Sequence, residues 1–110
     1  MGNAQPITVT LNPAVDRLIE VPALAIDAHL AGRTAHRTPG GKGLNVSRTL
    51  AALGVDNCAT GFLGRDNREI FEPLFADGRI TDAFVALPGA TRENITLIDP
   101  DSGKIGRAHV

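Results

Sequence analysis

The sequence predicts an α/β fold in a single domain. Three observations support this: short runs rich in β-branched and aliphatic residues, one clearly periodic helix between them, and a second capped apolar segment further along. Strands that alternate with helices are typical of a layer with parallel strand pairing. The chain has 110 residues, of which 43% are hydrophobic and 21% charged, and this suits one small globular domain.

The first half of the chain contains three predicted strands. Ile7 to Leu11 is a β-rich run that the turn residues Asn12-Pro13 end. Leu18 to Val21 and Arg33 to Thr38 are shorter runs, each followed by a proline, and residues 23–32 between them are predicted as a loop. Because both short strands precede the first helix, they do not fit a simple doubly wound sheet. They predict a small β-element that projects from the main layer.

The first helix is predicted over Leu44 to Leu53. Three apolar residues recur at i, i+4 and i+7 and share one helix face: Val46, Leu50 and Leu53. Gly54 stands where a residue in the left-handed conformation commonly ends a helix. These features predict one helix with a single apolar face.

The alternation continues after this helix. A strand is predicted over Asp56 to Leu63, and Asp66 or Asn67 can cap a second helix. The apolar face of that helix would hold Ile70, Phe71, Leu74 and Phe75. Pro73 conflicts with it, because an interior proline removes a hydrogen bond and crowds the preceding turn. The helix is therefore expected either to kink at this proline or to begin later.

Three further segments complete the predicted order. Thr81 to Leu87 and Asn94 to Asp99 are predicted strands, separated by Pro88-Gly89. Ser102-Gly103 predicts a hairpin turn, and Lys104 to Val110 predicts the start of its return strand. Since no residue follows to cap or cover that strand, the sequence is expected to stop within a larger architecture.

Charge and composition exclude several kinds of partner. The net charge is −1, from 11 basic and 12 acidic residues, which leaves no basic field for nucleic acid or an anionic membrane surface. Residues 1–6 show no signal-peptide pattern, and the longest apolar runs are too short to span a bilayer. The single cysteine, Cys58, fits a reducing compartment, and a cytoplasmic location is predicted. No metal site is predicted, because His29, His36 and His109 lack metal-ligand spacing.

The strongest local signal is the glycine-rich segment from Pro39 to Asn45, which leads into the first helix. Its three glycines let a ligand approach the backbone closely, and a helix start offers unpaired N–H groups to an anion. Asn45 can present both a donor and an acceptor to sugar hydroxyls. The spacing of a Walker loop is absent, and a dinucleotide fingerprint needs a glycine where Val46 stands. On these residues alone, a ligand cradle and a merely flexible helix start both remain open.

Two further segments carry candidate binding residues. Asp16, which follows the first strand closely, lies near the edge where open α/β sheets bind ligands, and its carboxylate can accept bonds from two adjacent hydroxyls. The alternative is a solvated aspartate in an Asx-type turn, which the frequency of Asp in turns favours when the residue is taken alone. Arg92 can clamp a phosphate with its planar guanidinium. The alternative for Arg92 is a surface ion pair with Glu93 or a nearby aspartate, which would add little stability.

In this order, the segments resemble the PfkB (ribokinase-like) carbohydrate kinase family, and within it the branch that acts on sugar phosphates. The similarity runs from Ile7 to about Gly103. The most specific part is the Gly-Gly-Lys-Gly-Leu-Asn helix start. The matching segments are Thr10 to Asp16, Gly40 to Arg48, Leu50 to Gly54, Thr60 to Gly64 with Asp66-Asn67, and Gly89 to Arg92 with Asn94.

This resemblance implies a Rossmann-like layer with a small β-sheet lid. The lid would contain the strands near 18–21, 33–38 and 81–87, and lids of two subunits would clasp to form a homodimer. The implied reaction transfers the γ-phosphoryl group of ATP, with Mg²⁺, to a hydroxyl of a sugar phosphate such as fructose 1-phosphate. Fructose 6-phosphate and tagatose 6-phosphate remain open as alternatives.

The resemblance also implies a role for each matching site residue. Arg92 would neutralise the substrate's phosphate, with Lys42 a weaker candidate for the same task. Asp16 would hold sugar hydroxyls, Gly40 and Gly41 would admit the sugar to the backbone, and Asn45 would hydrogen-bond it. The family's catalytic Gly-Ala-Gly-Asp segment and most of its ATP site would follow Val110. Residues 1–110 are therefore expected to hold no catalytic residue and to be inactive alone, and the non-catalytic alternative is a fragment that acts by pairing lid strands.

Overall fold

The computed structural model describes residues 5–21, 33–101, 103 and 105–109. They form seven strands in two sheets, one α-helix and two short 3₁₀ turns. The predicted loop over 23–32, including His29, lies outside these residues, as do Ser102, Lys104 and Val110 of the predicted hairpin. The elements in chain order are β1 (Ile7–Thr10), β2 (Ala14–Glu20), β3 (Arg33–Gly40), α1 (Lys42–Ala52), β4 (Asn57–Gly64), β5 (Ile80–Leu87), β6 (Glu93–Ile98) and β7 (Ile105–His109).

The first sheet is parallel and confirms the predicted α/β class. Its strand order is β1-β4-β5, and both strand pairs are parallel. Helix α1 packs on one face of this sheet, where the Thr8 and Ser47 hydroxyls share a buried hydrogen bond of 2.6 Å. The hydrophobic core lies on that face and is formed by Val15, Leu44, Ala59, Leu63, Phe71 and Ile80.

The helix was predicted correctly, but its buried face was not. Val46 and Leu53 are 52% and 73% exposed, whereas Leu44 and Ser47 are buried. The small Ser47 side chain lets the helix axis approach β1 closely enough for the hydroxyl contact to form. Gly54 has a φ of 81°, which is the left-handed conformation expected after the helix.

The second sheet is the predicted β-element outside the parallel layer. Its strand order is β3-β2-β6-β7, in which β2 pairs antiparallel with β3 and parallel with β6. The predicted strands at 18–21 and 33–38 both lie here and are longer than expected. The predicted return strand is β7, which pairs antiparallel with β6.

The expectation that Thr81 to Leu87 belongs to the lid is wrong. These residues form most of β5, which pairs parallel with β4 along its whole length, from Asn57 opposite Ile80 to Gly64 opposite Leu87. Ile80 is buried in the main core and anchors β5 to the parallel sheet. Strands β6 and β7 occupy the remaining positions of the second sheet.

The predicted second helix is replaced by two 3₁₀ turns, Arg68–Ile70 and Glu72–Phe75. Pro73 stands at the start of the second turn, where its missing N–H removes a bond that a continuous helix would need. Phe71 between the turns is fully buried, so the apolar residues of this segment still pack on the core. Asn67 makes no cap bond, and its side chain instead holds the backbone of Thr91.

No helix in the described part of the chain has the length and apolarity needed to cross a bilayer.

Candidate functional site

A cleft of about 460 Å³ lies between the end of β1, the start of α1 and the second sheet. This volume is within the range of about 300–1,000 Å³ that is usual for small-molecule sites. Five of the six binding residues predicted from the sequence line it: Asp16, Gly41, Lys42, Asn45 and Arg92. The sixth, Gly40, lies beside the cleft and is buried.

The glycine-rich turn packs directly on the end of β1. Gly41 has a φ of 138°, and a Cβ there would lie 2.7 Å from Thr10 Cγ2. A Cβ on Gly43 would lie 2.3 Å from Thr10 Oγ1, so this position also has no room for a side chain. The helix start carries no side-chain cap, and Gly41, Lys42 and Gly43 all line the cleft. Their position leaves unpaired N–H groups of the first helical turn at the cleft wall.

Gly40 packs against the Asp16 carboxylate. A Cβ at this position would lie 2.5 Å from Asp16 Oδ2. Its missing side chain therefore makes room for the Asp16 carboxylate, which lines the cleft in its place. The strand register explains the proximity, because Asp16 on β2 pairs with Thr38 on β3, two residues before Gly40.

The structure shows the local surroundings of Asp16 and Arg92. Asp16 lies within β2 and not in an Asx turn, and its Oδ1 accepts a hydrogen bond from Asn94 Nδ2 at 3.2 Å. Within the described residues Arg92 forms no ion pair, since Glu93 pairs with Arg17 at 3.5 Å. The Arg92 side chain therefore keeps its charge free of a carboxylate partner in this part of the chain.

Two asparagines hold the Arg92 guanidinium. Its Nε donates to Asn12 Oδ1 at 2.9 Å and its Nη1 donates to Asn94 Oδ1 at 3.1 Å. A longer bond of 3.4 Å runs from its Nη2 to the carbonyl of Asn12. Both asparagines line the cleft, and neither was selected as a site residue from the sequence. The sequence does contain a signal for Asn94. It stands two residues after Arg92, and residues i and i+2 of a strand share a face.

Asn45 is oriented from outside the cleft by Arg48. Arg48 Nη2 donates to Asn45 Oδ1 and also to the Pro39 carbonyl at 3.0 Å. The bond from Arg48 orients the amide, and the Asn45 Nδ2 group has two donors for further contacts. Arg48 thereby also connects the end of β3 to the first turn of α1.

A smaller cavity of about 170 Å³ lies on the other side of Arg92. It is lined mainly by apolar residues of the parallel sheet and its loops, including Leu11, Phe62 and Leu87. Arg92 is its only charged lining residue among those described. The acidic, amide and basic groups therefore converge in the larger cleft and not here.

The sequence profile of the pfkB family carbohydrate kinases matches residues 8–105. The chain belongs to this family. The segment matched by the PfkB profile contains every cleft residue named above.

Individual PfkB relatives agree with this assignment. The chain is 43% identical over 94 residues to a 1-phosphofructokinase of Vibrio cholerae, a match that covers 84% of this chain and 29% of that protein. For the 1-phosphofructokinase of Escherichia coli K12, the identity is 37%, with coverage of 86% and 30%. The chain therefore spans about a third of the length of the curated PfkB relatives that it matches.

Solved PfkB structures share the fold. A structure described as a possible 1-phosphofructokinase from Thermotoga maritima superposes with a TM-score of 0.76 at 38% identity, and the match covers 97% of this chain and 35% of that one. Phosphofructokinase-2 from Escherichia coli in complex with fructose-6-phosphate gives a TM-score of 0.78 at 30% identity, covering 96% of this chain and 35% of that one. Both alignments include the two sheets and the cleft between them.

Proposed function

We propose that this chain carries the acceptor-binding part of an ATP-dependent phosphosugar kinase, with a sugar phosphate such as fructose 1-phosphate as its ligand. The observation that supports this most directly is the cleft itself, where Asp16, Asn45 and Arg92 line one space of about 460 Å³. Relatives named 1-phosphofructokinase and the family match support the same substrate class.

The phosphate end of the ligand would lie against Arg92. Its planar guanidinium suits bidentate contact with phosphate oxygens, and neutral asparagine oxygens already hold it in place. The uncapped start of α1 and Lys42 add positive potential at the same cleft. A kinase that accepts a sugar phosphate has to compensate the charge of that phosphate as well as the charge of the triphosphate donor.

The sugar end would lie between Asp16 and the helix start. Asp16 Oδ1 already accepts from Asn94, so Oδ2 is the carboxylate oxygen proposed to accept from sugar hydroxyls. Asn45 Nδ2 would donate to a hydroxyl oxygen, because Arg48 occupies the amide oxygen. Gly41 would let the sugar approach the backbone, while Gly40 would act through the space it leaves for Asp16.

The chain's own contribution to the reaction is therefore binding and orientation. Positioning and charge compensation supply most of the catalysis in phosphoryl transfer. ATP and Mg²⁺ are proposed cosubstrate and cofactor of the whole kinase, acting in the cytoplasm, where sugar phosphates and ATP occur together. The described residues contain no group of three or more His, Cys, Asp or Glu side chains suited to a metal ion.

Pairing of second-sheet edges is proposed as the route to a homodimer. Within the described residues, β3 and β7 are the outer strands of that sheet, and open strand edges favour pairing with another chain. The same feature supports the second candidate function, in which this chain acts through such pairing without catalysis.

Isothermal titration calorimetry of the 110-residue chain tests the proposed ligand. Fructose 1-phosphate, fructose 6-phosphate and tagatose 6-phosphate are compared with unphosphorylated fructose, and at least one sugar phosphate is expected to bind more tightly than fructose. Arg92→Met is expected to weaken that binding by about 10- to 100-fold, since a hydrogen bond to a charged group contributes roughly 1.5–3 kcal/mol. Arg92→Lys keeps the charge but loses the planar guanidinium, so its affinity should lie between those of the unmodified chain and of Arg92→Met.

Arg65→Met is the matched control, because Arg65 is exposed and lies outside the cleft. It should bind the ligand as the unmodified chain does. Absence of binding for all three sugar phosphates, or equal effects of the Arg92 and Arg65 substitutions, would contradict the proposal.

A further inference from the structure

Asn94 lies between the two opposite charges of the cleft. Its Oδ1 accepts from Arg92 Nη1 at 3.1 Å, and its Nδ2 donates to Asp16 Oδ1 at 3.2 Å. We propose that Asn94 is a positioning residue whose amide keeps Arg92 and Asp16 from pairing with each other, so that both remain free for the ligand. The inference rests on the proposed function, because it concerns the same cleft.

The strand register creates the need for such a spacer. β2 and β6 run parallel, with Asp16 directly opposite Asn94. The carbonyl of Arg92 accepts from the N–H of Val15 at 2.8 Å, which fixes the Arg92 backbone beside the start of β2. A guanidinium and a carboxylate held on neighbouring chain segments attract each other, and opposite charges across paired strands stabilise that pairing. A direct contact would occupy the donors of Arg92 and the acceptors of Asp16.

The Asn94 amide satisfies both neighbours at this position. Its oxygen accepts from the guanidinium while its nitrogen donates to the carboxylate, and it carries no charge that would neutralise either. An aspartate here would pair with Arg92 and repel Asp16, and an alanine would remove the hydrogen bond that each of them makes with the amide. Asn12 holds the opposite side of the guanidinium through Nε, again with a neutral oxygen. The two asparagines thus hold the Arg92 guanidinium in place without neutralising its charge.

The first test needs no ligand. A crystal or NMR structure of the Asn94→Ala chain is expected to show Arg92 turned onto Asp16, with a guanidinium nitrogen within salt-bridge distance of a carboxylate oxygen. Thr96→Ala is the matched control, because Thr96 follows on the same face of β6 and lies outside this cleft. An Asn94→Ala structure in which Arg92 keeps its bond to Asn12 and stays apart from Asp16 would overturn the inference, whatever the chain binds.

The second test uses inorganic phosphate as the probe, followed by NMR titration. Asn94→Ala is expected to reduce phosphate affinity at least threefold, because Asp16 then competes for Arg92. Adding Asp16→Asn to that variant should restore the affinity, and the gain should exceed the gain from Asp16→Asn alone. A residue with a merely structural role, or one that contacts the ligand directly, would not be rescued in this way.

The outcomes separate the two proposals. If the unmodified chain binds neither phosphate nor any sugar phosphate but the Asn94→Ala structure shows the new ion pair, the proposed function fails and the spacing role of Asn94 stands. If the unmodified chain binds sugar phosphate and Asp16→Asn has the same effect with and without Asn94, the spacing role fails and the proposed function stands.

Discussion

Gly40 and Asp16 compete for the same space at the edge of the cleft. The distance of 2.5 Å from a Cβ on Gly40 to Asp16 Oδ2 is shorter than any real contact of this kind. The obstacle is the end of an exposed side chain, so it can move, but the movement would disturb the bond between Asn94 Nδ2 and Asp16 Oδ1. A glycine is therefore required at position 40 to keep an acidic side chain in the cleft.

Gly40→Ala is expected to displace the Asp16 carboxylate. Because the displaced group is exposed, the free energy of unfolding should fall by no more than about 1 kcal/mol, whereas sugar-phosphate binding should weaken. Urea denaturation and titration with fructose 1-phosphate measure the two effects. Gly106→Ala is the control, because a Cβ there would meet Leu97 at an ordinary 3.8 Å. Equal stability and equal binding of the two variants would contradict this explanation of Gly40.

At the scale of residues, the sequence predicts candidates but not their partners. Asp16, Asn45 and Arg92 were selected because their chemistry and local patterns point to a polar ligand. Asn12 and Asn94 were not predicted. What an asparagine binds depends on which residues the folded chain brings next to it, and the local sequence does not show this. The bonds in question join residues 80 and 78 positions apart in the chain.

At the scale of elements, strand runs were predicted more reliably than the sheet each strand joins. The prediction of a strand over Thr81 to Leu87 is correct, but its assignment to the lid is wrong. The local pattern predicts a strand without indicating that its partner is β4. Helix α1 was located correctly, yet its contact with β1 depends on Ser47, a small polar residue that hydrophobic periodicity does not weigh. Pro73 predicted a kink or a later start of the second helix, whereas the structure has two 3₁₀ turns in its place.

The connection from β4 to β6 is fixed by one side chain, Asn67. Its Nδ2 donates to the Thr91 carbonyl and its Oδ1 accepts from the Thr91 N–H, both at 2.8 Å and both buried. The Thr91 hydroxyl in turn accepts from the N–H of Gly64 at 2.8 Å. This arrangement sets the position of the residue immediately before Arg92.

Asn67→Ala is expected to lower the free energy of unfolding by about 1–3 kcal/mol, because it leaves the buried N–H and carbonyl of Thr91 unpaired. Chemical denaturation of the variant gives this value. Asp66→Ala serves as control, since Asp66 is exposed and adjacent in the chain. Equal urea midpoints for the two variants would show that the Asn67 hydrogen bonds to Thr91 do not stabilise the fold.

At the scale of the whole molecule, the cleft is built by both sheets. Strand β1 of the parallel sheet supplies Val9 and Thr10, α1 supplies Lys42 and Asn45, and the second sheet supplies Asp16 and Asn94. Val15, at the start of β2, is fully buried in the main core and fixes the second sheet against the first. The geometry of the cleft therefore depends on the two sheets folding together.

The other face of the parallel sheet is apolar and exposed in the described part of the chain. Ile7 and Val9 of β1 are 66% and 58% exposed, and Val85 of β5 is 53% exposed. Parallel sheets are normally covered on both faces. The sheet face opposite α1 is thus the surface on which a further layer would pack, and it lies away from the core that supports the cleft.

The central claim is that one ligand touches Asp16, Asn45 and Arg92 at the same time, and side-chain NMR tests it most directly. The 110-residue chain, labelled with ¹⁵N and ¹³C, is titrated with the sugar phosphate that binds most tightly. The Asp16 carboxyl carbon, the Asn45 Nδ2 amide and the Arg92 Nε–H signals are expected to shift together with a single dissociation constant, while the buried Asn57 amide stays unchanged. Shifts confined to one of the three groups, or three different dissociation constants, would contradict a shared site.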